Sequence, residues 1–249
     1  MNLKNICILF DVDDTLYDQF SIFEKSYNKV FGDKYKLDLN LLYNKSRYYS
    51  EHMFKLVETN EKTIEDLYVY RMKKPFEDFG YHISDDDAIL FQKVYAENQN
   101  YIAISENMKQ VIEFCSSNNI KMGIITNGLF INQWQKIEKL GILNWIGIND
   151  IFISESVGLS KPDLNLFKYV EEEMNLSKEY TYYIGDSLNN DVLGVDKIGW
   201  NMIWLNKRNL DIDNLDVNPK YIVNSDAEIL NIVKEIIASW YYRYKKFYY

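Results

Sequence analysis

From residue 106 onward the chain alternates between short runs of apolar, β-branched and aromatic residues and longer segments whose apolar positions recur at helical spacing. The runs are KMGIIT (121 to 126), DIFIS (150 to 154), YTYYIGD (180 to 186), NMIWLN (201 to 206) and KYIV (220 to 223). The helical segments cover about 106 to 118, 131 to 140, 163 to 174, 188 to 198 and 226 to 239. This alternation predicts a parallel sheet covered by helices, because parallel neighbours need a crossover and a helix is the usual one. Pro162 early in one helix and a Ser225 to Glu228 capping box at the head of another mark helix starts. The run NICILF (5 to 10) supplies one more strand, but the next run in sequence comes about 110 positions later.

Residues 17 to about 100 follow a different pattern. No run there reads as a buried strand, and amphipathic segments cover roughly 21 to 31, 39 to 56, 64 to 79 and 86 to 98, the first opening with a Ser21 to Glu24 capping box. The expected architecture is α/β: a doubly wound parallel-sheet core made of residues 1–16 and 101–249, interrupted after its first strand by a helical cap over 17–100. The tail SWYYRYKKFYY (239 to 249) reads as a helix end docked on the body, with a contact surface for a second subunit as the alternative.

Composition narrows the function classes. At 249 residues, 47% hydrophobic and 26% charged, the chain has the make-up of a soluble globular protein. Its net charge of -9 disfavours nucleic acid and anionic membrane surfaces as partners and is compatible with a small substrate. Cys7 and Cys115 both sit in apolar stretches and read as reduced core residues. The N-terminal apolar run is too short for a signal peptide, and no stretch approaches the roughly 18 apolar residues of a spanning helix, so a cytoplasmic protein is expected.

Four short motifs fall at or just beyond the C-terminal ends of expected strands, where open α/β sheets bind ligands. They are Asp11, Asp13 and Thr15 after the first strand, Thr126, Asn127 and Gly128 after the second, Lys161 and Pro162 after the third, and Asp186 with Asp191 after the fourth. Asp11, Asp13, Asp186 and Asp191 would repel one another without a cation, and an all-oxygen donor set suits Mg²⁺. Lys161, the Thr126 hydroxyl and backbone N–H groups near Asn127 and Gly128 would cradle a phosphoryl dianion. Asp11, directly at the strand end, is placed to attack phosphorus, and Asp13 to protonate the leaving oxygen and then activate water. For the first of these steps Asp13 must carry a proton, which a neighbouring anion or a dry site would favour.

DVDDTL, IITNG, SKP and GDSLNND, in this order and with a helical insert after the first, resemble the haloacid dehalogenase superfamily of phosphatases in its subgroup with a helical cap. The resemblance covers nearly the whole chain and implies a Rossmann-like core. It implies Asp11 as nucleophile and Asp13 as acid/base. The Asp11 carboxylate, the Asp13 carbonyl and Asp186 would hold Mg²⁺, with Asp191 beside the metal. Thr126, Asn127 and Lys161 would bind the phosphoryl group. Asp14 stands where many relatives have Gly or another acid. The stretches around the second to fourth motifs are most similar to the pyrimidine 5'-nucleotidase branch, although YIAISENM (101 to 108) lacks the Pro-Gly turn common there.

The resulting expectation is a Mg²⁺-dependent phosphomonoester hydrolase for a small soluble metabolite, a nucleoside 5'-monophosphate first, acting as a monomer or homodimer. A phosphoglycolate or sugar-phosphate phosphatase and a phosphomutase would use the same residues. From another class, a phosphoryl-receiver or silent binding module shares the acidic cluster and Lys-Pro. A receiver is about half this length, however, and carries its lysine after all the acids, whereas Asp186 and Asp191 follow Lys161 here. In the cap, Arg71, Lys73, Lys74 and the aromatic residues Tyr48, Tyr49, Phe54, Tyr68 and Tyr70 are candidates for meeting the leaving group, with packing and solvated faces as the plainer alternative. His52 and His82 read as surface residues.

Overall fold

A computed structural model describes residues 6–210 and 216–248, with side chains as far as Tyr242. The chain divides into two compact units, Met1–Tyr17 with Ala103–Tyr249, and Asp18–Ile102.

The first unit holds the strands β1 (Cys7–Phe10), β2 (Lys121–Thr126), β3 (Ile151–Ile153), β4 (Thr181–Gly185), β5 (Asn201–Leu205) and β6 (Tyr221–Val223). They form one sheet in the order β3-β2-β1-β4-β5-β6, with every pair parallel. The strands are near-continuous apolar runs because helices cover both faces; β1 and β4 are buried at every position. The order reverses at β1, whose Cys7 lies opposite Lys121 of β2 on one side and Thr181 of β4 on the other. The carboxyl ends of β1 and β4 therefore flank a topological switch point, the place where such sheets form a ligand crevice.

The second unit is built from α1 (Gln19–Val30), α2 (Leu39–Glu58), α3 (Ile64–Asp78) and α4 (Asp85–Asn98). The remaining helices belong to the sheet unit: α5 (Glu106–Ser117), α6 (Phe130–Lys139), α7 (Ser154–Val157), α8 (Leu164–Glu173), α9 (Leu193–Ile198) and α10 (Ile229–Tyr248). In the helical unit Phe23, Tyr27, Phe31, Phe76 and Phe91 meet in edge-on and stacked pairs 5.2 to 6.3 Å apart, a dense aromatic core for a small bundle. The side chains expected to meet a substrate from this unit are largely engaged inside it. Arg71 lies over the Tyr68 and Tyr95 rings and donates to Gln92, Lys73 pairs with Asp85 and Lys74 with Glu77, and the Tyr49 hydroxyl donates to Asp78. His52 and His82 are exposed.

Several helix ends differ from the sequence reading. Asp18, not Ser21, caps α1: its carboxylate accepts the Ser21 N–H at 3.2 Å, so the helix begins three residues earlier than the Ser21 to Glu24 box implies. The complete capping boxes are Thr63 with Asp66 and Ser84 with Asp87, where a shorter acid replaces the usual Glu. Pro162 precedes α8, whose cap is Asp163, because a turn closed by Asp163 N–H to Ser160 O intervenes. Ser225 accepts from Ala227 N–H and opens a short 3₁₀ turn before α10, so the box expected with Glu228 does not form there. The segment expected as a helix from 188 opens with a wide π turn over Leu188–Val192. α10 buries one face, through Ile229, Val233, Ile236, Ile237 and Trp240, so the tail is docked at Trp240 while Tyr242 is exposed; Tyr249 and the side chains from 243 onward lie outside the described residues.

Cys7 and Cys115 are unpaired and buried, and burial pushes the Cys115 thiol up to about 12 and Cys7 higher. Both should resist iodoacetamide at pH 8 in the folded protein and react in urea; fast labelling without denaturant would contradict this packing. Asp18→Ala should cost about 1 kcal/mol of stability in urea unfolding, and Ser21→Ala less than half of that. The reverse order would restore Ser21 as the cap.

Candidate active site

β1 ends by setting Asp11 against β4: the Asp11 N–H donates to Ile184 O at 2.9 Å, which carries the ladder one residue past the strand. The chain then turns tightly, with Leu16 N–H on Val12 O at 3.0 Å and the buried Thr15 hydroxyl directed at Asp11 Oδ2 from 3.4 Å. Asp14 adopts φ 60°, a left-handed conformation that short polar residues and glycine tolerate best, which gives a physical reason for the residue types at this place. Thr126, the last residue of β2, is buried beside this turn's strand neighbour.

Lys161 is the centre of the cluster. It is 3% exposed, and its Nζ lies 2.7 Å from Asp11 Oδ1, 2.7 Å from Asp191 Oδ1 and 3.0 Å from the Tyr183 hydroxyl. The Asn127 side chain clamps the loop that carries it, donating to Lys161 O at 2.9 Å and accepting from Lys161 N–H at 2.8 Å. That side chain is therefore engaged in positioning Lys161. The Gly128 N–H is donated to Ser154 Oγ at 3.0 Å, which removes it from the expected set of phosphoryl donors. Asp191 Oδ2 accepts the Ser187 N–H at 2.9 Å, and the carboxylate packs so closely on Gly185 that a side chain there would strike it.

On the other flank, Asp186 accepts at 2.8 Å from Arg208, which also donates to Asp14 Oδ2 at 3.0 Å, while Lys207 Nζ donates to the Asp14 carbonyl at 2.7 Å. Trp204 fixes the Asp186 backbone by donating to its carbonyl at 2.9 Å. The Asp13 carboxylate is reached by Lys136 Nζ, 2.7 Å from each oxygen, by the Tyr17 hydroxyl at 2.5 Å and by Gln133 Nε2 at 3.1 Å. Lys136, Gln133, Tyr17 and Arg208 escaped the sequence reading. The readable signals were modest: Gln133 and Lys136 lie three apart on the helix after the TNG run, Tyr17 lies four after Asp13, and Arg208 follows the end of a fifth strand.

Burial pushes the Asp11 carboxyl up to about 6, with Lys161 pulling against it and Asp191 and Asp13 adding to the rise. Burial likewise holds Asp186 well above the carboxylate range, against Arg208. For Lys161 burial works downward, but Asp11 and Asp191 outweigh it and hold the ammonium well above its ordinary value. A raised acid and a raised base in one ion pair are consistent because carboxylates outnumber cations here. Asp11, Asp13, Asp14, Asp186 and Asp191 face Lys136, Lys161, Arg208 and, at the Asp14 carbonyl, Lys207, so five carboxylates meet four cations and the cluster carries a net negative charge when all are ionised. Ligand oxygens of Asp11, Asp186 and Asp191 also lie within 4.8 Å of one another. Oxygen donors with that charge excess fit a hard divalent cation.

A family model for haloacid dehalogenase-like hydrolase matches residues 8–205. The chain belongs to this family. Among relatives, it is 29% identical to a glyceraldehyde 3-phosphate phosphatase of Methanocaldococcus jannaschii over 92% of this chain and 97% of that protein. It is 24% identical to the pyrimidine 5'-nucleotidase PynA of Streptococcus pneumoniae over 92% of this chain and 95% of that one. The magnesium-bound crystal structure of the putative HAD-hydrolase YfnB of Bacillus subtilis superposes with a TM-score of 0.68 at 23% identity, covering 92% of this chain and 99% of that one, a likeness of fold. Among the described residues no helix of this hydrolase is long and apolar enough to cross a membrane.

The Asp11 environment has a pH signature. In the unfolded chain its carboxyl loses its proton near pH 4, in the fold near pH 6, so between these values the folded state binds more protons and stability falls as pH rises. In EDTA, the stability of the unaltered protein relative to Asp11→Asn should fall by up to about 3 kcal/mol from pH 4 to pH 7. A difference that stays flat or rises with pH would contradict the burial of Asp11.

Proposed function

We propose that this hydrolase is a Mg²⁺-dependent phosphomonoesterase acting on a small soluble phosphorylated metabolite through an aspartyl-phosphate on Asp11. The observation that carries the reading is the Lys161 ammonium, held 2.7 Å from the Asp11 carboxylate in a buried pocket of excess negative charge. A lysine so placed offsets the repulsion between a carboxylate nucleophile and a phosphate ester, and the Asn127 clamp keeps it there. The Asp11 and Asp186 carboxylates and the Asp13 carbonyl would hold Mg²⁺, with Asp191 beside it. When bound, the ion would neutralise phosphoryl oxygen charge next to these carboxylates.

The residues act in two half-reactions. Asp11 attacks phosphorus, the bond from phosphorus to the ester oxygen breaks with its electron pair on oxygen, and Asp13, which must take up a proton for this step against the pull of the Lys136 ammonium, gives it to that oxygen, releasing an alcohol. Water then attacks phosphorus of the aspartyl-phosphate, giving a proton to Asp13 as the phosphorus bond to Asp11 breaks and inorganic phosphate leaves. Thr126 and Lys161 bind phosphoryl oxygens, and Asn127 serves by holding Lys161.

The relatives' names divide between a triose phosphate and pyrimidine nucleotides, so the substrate is assigned as a small phosphate monoester, with nucleoside 5'-monophosphates and glyceraldehyde 3-phosphate both to be assayed. The test is phosphate release from these compounds, sugar phosphates, phosphoglycolate and an aryl phosphate, with and without Mg²⁺. Mg²⁺-dependent release is expected, falling at least ~1,000-fold in Asp11→Asn while the thermal melt in EDTA remains cooperative. Substantial turnover by Asp11→Asn would sink the nucleophile assignment. Release from no ester would move the protein to a mutase or a silent binding module.

A further inference from the structure

Asp13 is held more elaborately than the acid/base assignment alone demands. Lys136 Nζ sits 2.7 Å from both of its oxygens, and the side chains of Lys136 and Asp13 are only 10% and 11% exposed. The Tyr17 hydroxyl donates to Oδ1 at 2.5 Å and Gln133 Nε2 to Oδ2 at 3.1 Å. The donors come from two places in the sheet unit: Tyr17 closes the turn that carries Asp13, while Gln133 and Lys136 lie one turn apart on α6, which follows β2. Lysine brings a charge, but tyrosine and glutamine add directional bonds, and together they fix the plane of the carboxylate as well as its place.

Gln133 shows what this holding requires. Its Nε2 donates to both Asp13 Oδ2 and Asn127 O, at 3.1 and 3.0 Å, so the amide cannot flip without setting its oxygen against two acceptors. Its Oε1 is consequently buried with no hydrogen-bond partner among the described residues. A buried orphan acceptor is costly and is retained where the surroundings enforce it. Gly128 makes room for the arrangement: at φ 148° its position would place a Cβ 2.6 Å from Gln133 Nε2. The glycine of the TNG run and the helix after it thus serve Asp13.

We propose that Tyr17, Gln133 and Lys136 are positioning residues that hold the Asp13 carboxyl in line with the leaving oxygen, and so govern the leaving-group half of the reaction separately from the attack by Asp11. This rests on the phosphomonoesterase reading given above. An alkoxide needs a proton as it departs, whereas the anion of an acidic phenol departs without one, so the three residues matter for alkyl esters and little for aryl ones. The parameter kcat/KM covers the steps through departure of the alcohol, and it isolates this half-reaction.

The experiment compares kcat/KM for p-nitrophenyl phosphate and for the alkyl phosphate that the unaltered protein hydrolyses fastest. Lys136→Met should lower the alkyl value at least ~30-fold and the aryl value at most ~3-fold, and Lys136→Arg should recover part of the alkyl loss. A burst of nitrophenol should appear in Lys136→Met, because Asp13 also serves the slower hydrolysis of the aspartyl-phosphate. If Lys136→Met does not fold, Tyr17→Phe and Gln133→Leu report the same ratio, with a selective alkyl loss expected in each. Parallel losses on both esters, or an unchanged alkyl value, overturn the proposal while leaving the phosphatase reading intact. No release from either ester by the unaltered protein overturns that reading and this one together.

Discussion

Everything in the site turns on a lysine ammonium buried between two carboxylates. Lys161 at 2.7 Å from both Asp11 and Asp191 is a contact that can exist only where the sheet brings the end of β1, the loop after β3 and the start of the turn after β4 to one place. Removing Lys161 would leave two buried carboxylates without it, at a cost of about 3–5 kcal/mol, so the lysine is fixed by the stability of the unit as a whole. The supporting bonds follow the same logic: Asn127 clamps the lysine's backbone, Ser187 N–H holds Asp191, and Gly185 leaves the space that the Asp191 carboxylate fills. The fold here supplies preorganisation, which is what transition-state stabilisation in a dry site needs.

The cluster is built in two halves with different neighbours. Around Asp11, Lys161 and Asp191 the groups are charged, tightly packed and short of positive charge, which suits a phosphoryl group and a divalent ion. Around Asp13 the donors are a lysine, a tyrosine and an amide, which fix orientation. Arg208 joins Asp14 to Asp186 at the edge of the first half. Family membership agrees with this reading at the level of hydrolysis.

The sheet was legible because its strands are short apolar runs with turn residues at both ends, and a strand buried on both faces has no other way to be written. Asp11 and Asp186 were legible because each follows directly on a strand, and Lys161 and Asp191 because their motifs lie in the segments after β3 and β4; the sheet order carries all four together. Thr126 and Asn127 were legible in place, yet the engagement of the Asn127 side chain by Lys161 depends on a loop geometry that spacing does not encode. Lys136 and Gln133 were hidden because a polar residue on a helix is usually solvated; only the placement of α6 within reach of the turn that carries Asp13 engages them, and a sequence does not state that placement. The α1 cap was misread because Ser21 and Glu24 match a box while Asp18, three residues earlier, caps equally well and lets the helix take one more apolar turn.

In the proposed reaction Asp11 forms a covalent bond to phosphorus. The most direct measurement is an acid quench during steady-state turnover of a substrate with a radiolabelled phosphoryl group, followed by peptide mapping of the protein-bound label. Acid-stable, base-labile label is expected on the peptide carrying Asp11, chased to inorganic phosphate by unlabelled substrate. Label on another residue, or full turnover with no protein-bound label at any quench time, would contradict it.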